Sequence, residues 1–243
     1  MRWRGLLALL VLSLLQGCLL TRVMETRAQL CDDQPPRVRV VQVPGASLRV
    51  VFDKPTLSDR DVIVIVGVEP SGTSGTAATR ELVYEARPLD RPADRTAGLV
   101  SRLSFVYADS EYRLAQVEVP EKFNAVLPPA LLAAAANVAC KAQIMVAPPS
   151  TTFDLAPLDR TTLPGRDALR QLLGPPDAGP VRNGEMTYRY CLMPCDAGSP
   201  MVTSLKFSFD IMGWLERAEA SYFRYSATVD LVSSTPKAKV ELH

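Results

Sequence analysis

The sequence predicts an α+β protein of two tandem units, each a short helix packed on a small antiparallel sheet. Three observations predict it. Short β-branched runs with period-two alternation recur along the chain, as strands half-buried in a sheet require. The 20 prolines break the chain into short elements and disfavour long helices. One pattern occurs twice: Asp53-Lys-Pro-Thr-Leu-Ser-Asp-Arg-Asp61 is echoed by Asp159-Arg-Thr-Thr-Leu-Pro-Gly-Arg-Asp167, with the same order of signals behind each. The units that follow are 31–139 and 140–243, behind a segment 1–17 and a short tether 18–30.

The tether, Leu19 to Leu30, has some helical character. Val38-Arg-Val-Val-Gln-Val43 and Leu48-Arg-Val-Val-Phe52 are strand-like and separated by Pro44-Gly45-Ala46-Ser47, which predicts a hairpin. Ser58 is placed to cap a short helix that runs to Ile65 or Val66 and ends at Gly67. The run Val62 to Val68 also has strand composition. Gly72 to Thr76 reads as a glycine-, serine- and threonine-rich loop. Strands are expected over 81–86, 99–108 and 112–119, with Asp109-Ser110-Glu111 turning between the last two. Pro128 to Cys140 opens on two prolines and continues rich in alanine and leucine, a good helix.

The second unit begins its structured part at Leu163. Over 163–174 the chain predicts an amphipathic helix with Ala168, Leu169, Leu172 and Leu173 on one face and Gly174 as its stop. Strand-like runs follow at Met186–Tyr190, Leu205–Asp210 and Trp214–Ala218, with a turn at Met212-Gly213. Val83-Tyr84 matches Thr187-Tyr188, and Leu103-Ser-Phe105 matches Leu205-Lys-Phe207. Cys31 and Cys140 stand at similar distances ahead of the two Thr-Leu pairs.

The amino terminus states an address. Arg2 and Arg4 precede an apolar run, Gly5 to Leu15, too short to span a bilayer. The run ends in Leu15-Gln16-Gly17-Cys18, which resembles a bacterial lipobox, although Gln16 is not the commonest residue at its place. The resemblance implies a signal peptide over 1–17, cleavage before Cys18, a diacylglycerol thioether on that sulfur and an acylated new amino terminus. Several acyl chains, at about 0.8 kcal/mol per buried methylene, would make the anchor effectively permanent. Leu19 rather than Asp after Cys18 favours the outer membrane by the sorting convention of enteric bacteria, with the chain on the periplasmic face.

A second resemblance lies in residues 158–222. The succession Leu172-Leu173-Gly174-Pro175-Pro176, Tyr188-Arg189-Tyr190 and Phe207-Ser-Phe-Asp-Ile-Met-Gly-Trp-Leu215 resembles the BamE (SmpA/OmlA) family of small outer-membrane lipoproteins. The motifs are short and mostly structural. They imply a helix on a small sheet and a setting in outer-membrane protein assembly. Two features depart from the family: a long amino-terminal half precedes the match, and Cys191 to Pro200 forms an inserted cysteine-bearing loop. Tandem copies of a related helix-plus-sheet unit also build inhibitors of β-lactamase, an analogy of architecture alone.

Composition narrows the chemistry. Without Arg2 and Arg4 the 27 basic side chains become 25 against 26 acidic ones, a balance that speaks against nucleic acid as a partner. With Cys18 lipidated, four cysteines remain, and four allow three pairings. The expected pairing is Cys31–Cys140, joining the starts of the two copies, and Cys191–Cys195, where Pro194 helps the chain turn back. The one histidine is His243, so histidine-based triads and zinc sites lack their ligands. No metal, cofactor or catalytic residue is assigned. Asp32, Asp33, Asp59, Asp61 and Asp94 are the carboxylates an acid–base enzyme would have to use, and each is better read as a solvated turn or helix start. Tyr222-Phe223-Arg224-Tyr225 reads either as part of an ordinary last strand or as an exposed anchor for a partner, since aromatic residues and arginine dominate interface hot spots. The expectation is a membrane-anchored, non-catalytic interaction or scaffolding module with an envelope protein as partner. A periplasmic ligand binder or protein inhibitor is the first alternative and a carboxylate-dependent enzyme the second.

Overall fold

Alternating apolar residues build most of the described part of the chain into one antiparallel sheet. The fold is taken from a computed structural model, which describes residues 19–29, 31, 37–42, 47–91, 98–120, 122–123, 150–155, 163–177, 184–195, 201–223, 225–232 and 235–242. In chain order the elements are helix α1 (19–29), β1 (Val38–Gln42), β2 (Leu48–Phe52), α2 (Asp59–Val66), β3 (Gly72–Gly75), β4 (Thr79–Pro88), β5 (Leu99–Ala108), β6 (Glu111–Val119), β7 (Ser150–Asp154), α3 (Arg166–Leu173), β8 (Glu185–Leu192), β9 (Val202–Phe209), β10 (Leu215–Tyr222), β11 (Tyr225–Asp230) and β12 (Lys237–Leu242).

The strands run side by side in the order β1-β2-β6-β5-β4-β8-β9-β10-β11-β12-β7. This overturns the expected two units of helix on small sheet. Of the described residues 52% are in strands and 19% in helices, and their sheet is continuous. The joint is β4, whose one edge is shared. Its first half pairs with β3 from Gly72↔Val83 to Gly75↔Arg80, and its last three residues pair with β8 through Ala86↔Leu192, Arg87↔Cys191 and Pro88↔Tyr190. The physical reason is the open edge. A strand's unpaired N–H and C=O groups seek a partner, and β8 supplies one to β4. Alternation within a strand tells which side chains share a face but not which strand lies alongside. The segments that echo each other do enter like elements: Leu57 and Leu163 precede α2 and α3, Leu103 and Phe105 lie on β5, and Leu205 and Phe207 lie on β9.

Both short helices cover the same face. Leu82 and Tyr84 alternate inward on β4, and the β4–β8 register carries that face onto Tyr190, Tyr188 and Met186. Val62 of α2 packs with Leu82, Tyr84, Leu103, Phe105 and Leu114. Leu169 and Leu173 of α3 pack with Met186, Tyr188, Tyr190, Phe207, Phe209 and Leu215. Leu172 lies partly buried at that cluster, whereas Ala168 points outward, contrary to its expected place on the apolar face. An eight-residue helix has room for fewer than three inward turns, and Leu169 and Leu173 take the centre.

The opposite face is polar. Arg102 reaches Glu81 at 3.1 Å, Lys206 reaches Glu185 at 3.0 Å, and Lys239 reaches Glu241 at 2.7 Å. Such exposed pairs contribute little stability individually, roughly 0–1 kcal/mol. They keep this side of the sheet soluble.

Four further expectations meet the structure here. The α2 helix forms as its sequence signals require. Ser58 accepts from the Asp61 N–H, the Asp61 carboxylate accepts from the Ser58 N–H at 2.8 Å, and Gly67 closes the helix at φ 77°. Gly72–Gly75 is a strand rather than a loop, because backbone pairing with β4 does not need apolar side chains. Pro128–Cys140 lies outside the described residues. The tether is helical over 19–29 and is pinned to the body, as described next.

Candidate interaction site

The structure gathers two surface features at the two ends of α2. At its start, α1 is locked down by charge. Arg22 reaches Asp61 at 2.9 Å and Glu111 at 3.0 Å, and Arg113 reaches the same Glu111 at 3.1 Å. Thr26 shares a 2.5 Å hydroxyl contact with Thr56, and Gln29 donates to Thr56 at 3.5 Å. Asp59 is held by Arg80, whose guanidinium lies 4.0 Å from the centre of the Tyr112 ring. Burial opposes the charge on Asp61, but the bonds from Arg22 and from the Ser58 N–H and hydroxyl outweigh it and hold the carboxyl below its ordinary range. A cleft of about 330 Å³ opens beside Asp59, Arg60, Arg80 and Tyr107.

Asp59, Asp61 and Glu111 are each matched by an arginine. A general acid near neutral pH needs a carboxyl pushed upward, and Asp61 moves the other way. Among the described residues no group of His, Cys, Asp and Glu is spaced to hold a metal ion. Asp32, Asp33 and Asp94 lie outside the described residues.

At the far end of α2 stands the aromatic cluster. It is not part of a last strand: β10 and β11 meet there, with Tyr222 paired to Tyr225 and Phe223 turning the chain just after β10. The sequence carried no usable turn signal, since Phe223 is not Gly, Asn or Asp. Tyr222 is half-buried and donates its hydroxyl to the carbonyl of Val66, the last residue of α2. Burial raises its pKa. Phe223 stands at φ 52° and is 58% exposed, and Tyr225 is 47% exposed. A bulky side chain at positive φ is an outlier in folded proteins. Arg224 lies outside the described residues.

The cysteines divide the same way. Cys191 and Cys195 form a disulfide with Cα atoms 5.5 Å apart, at the end of β8 where that strand meets β4. Cys31, just past α1, is also disulfide-bonded. Its expected partner Cys140 and the expected lipidation site Cys18 lie outside the described residues. Sequence reasoning missed Arg22, Arg80 and Arg113. The cap at Ser58 was visible, but Arg22, which meets Asp61, and Arg80, which meets Asp59, come from α1 and β4, and Arg113 meets Glu111 of its own strand. The turn expected at Met212-Gly213 forms the tip between β9 and β10. There Asp210 accepts from the N–H groups of Met212 and Trp214, both at 2.9 Å, and leaves Ile211 fully exposed.

Comparison with protein-family models, with curated proteins and with solved structures found no match.

Proposed function

We infer that this chain is a lipid-anchored, periplasm-facing envelope protein that works as a non-catalytic interaction or scaffolding module. The BamE-like motifs make outer-membrane protein assembly its candidate setting. The observation that carries the reading is Phe223. A two-residue hairpin turn normally takes Gly, Asn or Asp at positive φ. Phe223, 58% exposed, holds such a conformation at a backbone cost of order 1–2 kcal/mol. Backbone outliers of this kind cluster at ligand clamps and functional turns. The arginine-matched carboxylates at the other end of α2 support the non-catalytic part of the reading.

Two experiments test it. Gentle cross-linking followed by affinity purification identifies the partner, and the variants Phe223→Gly and Tyr225→Ala then report on the surface. Phe223→Gly is expected to raise thermal stability, by about 1 kcal/mol, while weakening partner capture by ~2 kcal/mol or more. Unchanged capture by both variants would remove the turn from the interface. For the anchor, Cys18→Ala is expected to release the protein from membranes or to leave it uncleaved. Unchanged mass and membrane attachment in that variant would refute the lipid.

A further inference from the structure

We propose that the outer side of the α1–α2 pair is a membrane-docking face, so that the protein lies flat against the bilayer that anchors it rather than hanging from a free tether. The proposal rests on the anchoring reading above and adds an orientation to it. Three contacts hold α1 against the start of α2. Gln29 and Thr26 touch Thr56, just before α2, and Arg22 touches Asp61, in its first turn. Leu19, where α1 begins, follows the expected anchor Cys18 directly in the chain, and Ile65 lies one turn beyond Asp61 on α2.

The side chains around that point are apolar and turned outward. Arg22, Thr26 and Gln29 occupy the inner face of α1, and Leu20 and Met24 lie nearly opposite them. Leu20 is 63% exposed and Met24 is exposed as well. Val62 is the buried contact of α2, which leaves Val64 at 66% exposure and Ile65 also exposed. Exposed Glu25 on α1 and Arg60 on α2 flank these four residues and carry opposite charges. Apolar side chains at helical spacing beside a membrane-directed segment are the pattern of a helix lying in the bilayer interface, with its apolar face some 5–10 Å into the headgroup boundary. The salt bridges of Arg22 tie α1 to Asp61 of α2 and to Glu111, so an anchor at position 18 would hold both helices at the membrane.

The test uses depth-dependent fluorescence quenching. The full chain, expressed with its own amino-terminal segment, is reconstituted into phosphatidylethanolamine–phosphatidylglycerol vesicles with and without acyl chains carrying bromine. Trp3 is replaced by Phe, so that native Trp214, at the β9–β10 tip, reports alone. In a Trp214→Phe background, Ile65→Trp reports on the proposed face, and Val64→Trp is a second probe at a more exposed site. At an insertion depth of roughly 5–10 Å, brominated lipid is expected to remove about half or more of the emission from positions 64 and 65 and little of that from Trp214. A chain that floats with the vesicles while positions 64 and 65 stay unquenched overturns the face and leaves the anchor standing. Quenching of Trp214 in their place would turn the protein over and put the Ile211–Met212 tip in the lipid. A chain that does not float with the vesicles overturns the anchor and the face together.

Discussion

Tyr84 and Tyr190 carry the most consequential polar atoms in the core. Both hydroxyls are buried, and neither finds a hydrogen-bond partner among the described residues. Burial pushes each phenol up to about 12. The sign of the consequence follows from linkage. The unfolded chain releases these protons near pH 10 and the folded chain only near 12, so their contribution is complete below about pH 10 and falls as the pH rises. Between those values each tyrosine lowers stability by about 1.4 kcal/mol per pH unit. Absorbance titration is expected to show two tyrosines ionising only with alkaline unfolding, and normal titration of all of them below pH 11 would contradict their burial. Tyr190→Phe removes an unsatisfied buried hydroxyl and leaves the ring. It is expected to be neutral or stabilising by up to about 1 kcal/mol in thermal or denaturant unfolding, and a loss of stability would reveal a partner for that hydroxyl.

At the scale of elements, α2 shows how local chemistry settles a competition. Val62-Ile63-Val64-Ile65-Val66 has the composition of a strand, yet it is helical. Ser58 and Asp61 close both halves of a capping box, and Gly67 ends the helix in a left-handed turn. Arg22 then gives the capping carboxylate a charged partner. Glycines mark the ends of the strands in the same way, but not with equal weight. Gly184, at φ 86°, opens β8, and a Cβ there would sit 2.6 Å from the carbonyl oxygen of Phe209. Gly174, at φ 85°, ends α3 with nothing within 4 Å of a Cβ. Gly174→Ala is expected to cost only the penalty of its glycine-only backbone conformation, φ 85° and ψ −168°, of order 1–3 kcal/mol. Gly184→Ala adds a backbone collision and is expected to cost about 1–3 kcal/mol more. Chemical denaturation of the two variants measures the difference, and equal costs would show that β9 yields to the added methyl.

At the scale of the whole molecule, two clusters of core residues lie on one face of one sheet and are bridged by three backbone pairs at the β4–β8 joint. Leu99 of β5 belongs to the cluster under α3, and Tyr222 of β10 bonds to the end of α2. Each half therefore lends a residue to the other. A single cooperative unfolding transition is expected. Leu169→Ala beneath α3 and Phe105→Ala beneath α2 are both expected to lower that transition, by roughly 2–5 kcal/mol each. Two separate transitions in calorimetry, each moved by only one of the variants, would show the halves to be independent.

Much of this was legible in the residues. The hairpin of β1 and β2, the full span of β5, the helix after Ser58 and the helix around Leu169 follow from alternation, capping and 3.6-residue spacing, all of which act within a few residues. The close pair Cys191 and Cys195 was legible for the same reason. The positive-φ turn at Phe223 was not, because its residues do not favour that conformation and neighbouring strands impose it. The strand at Gly72–Gly75 was hidden likewise, since a flat backbone can pair without any pattern in its side chains. What the sequence determined by itself was local: which segments extend, which coil, and which faces are apolar. The tertiary structure alone decided that β4 and β8 are neighbours, that their joining makes one sheet of the two expected, and that Arg22 holds the first helix against Asp61. Those contacts join residues far apart in the chain, and their stability comes from pairing open edges and matching buried charges, which no short window of sequence contains.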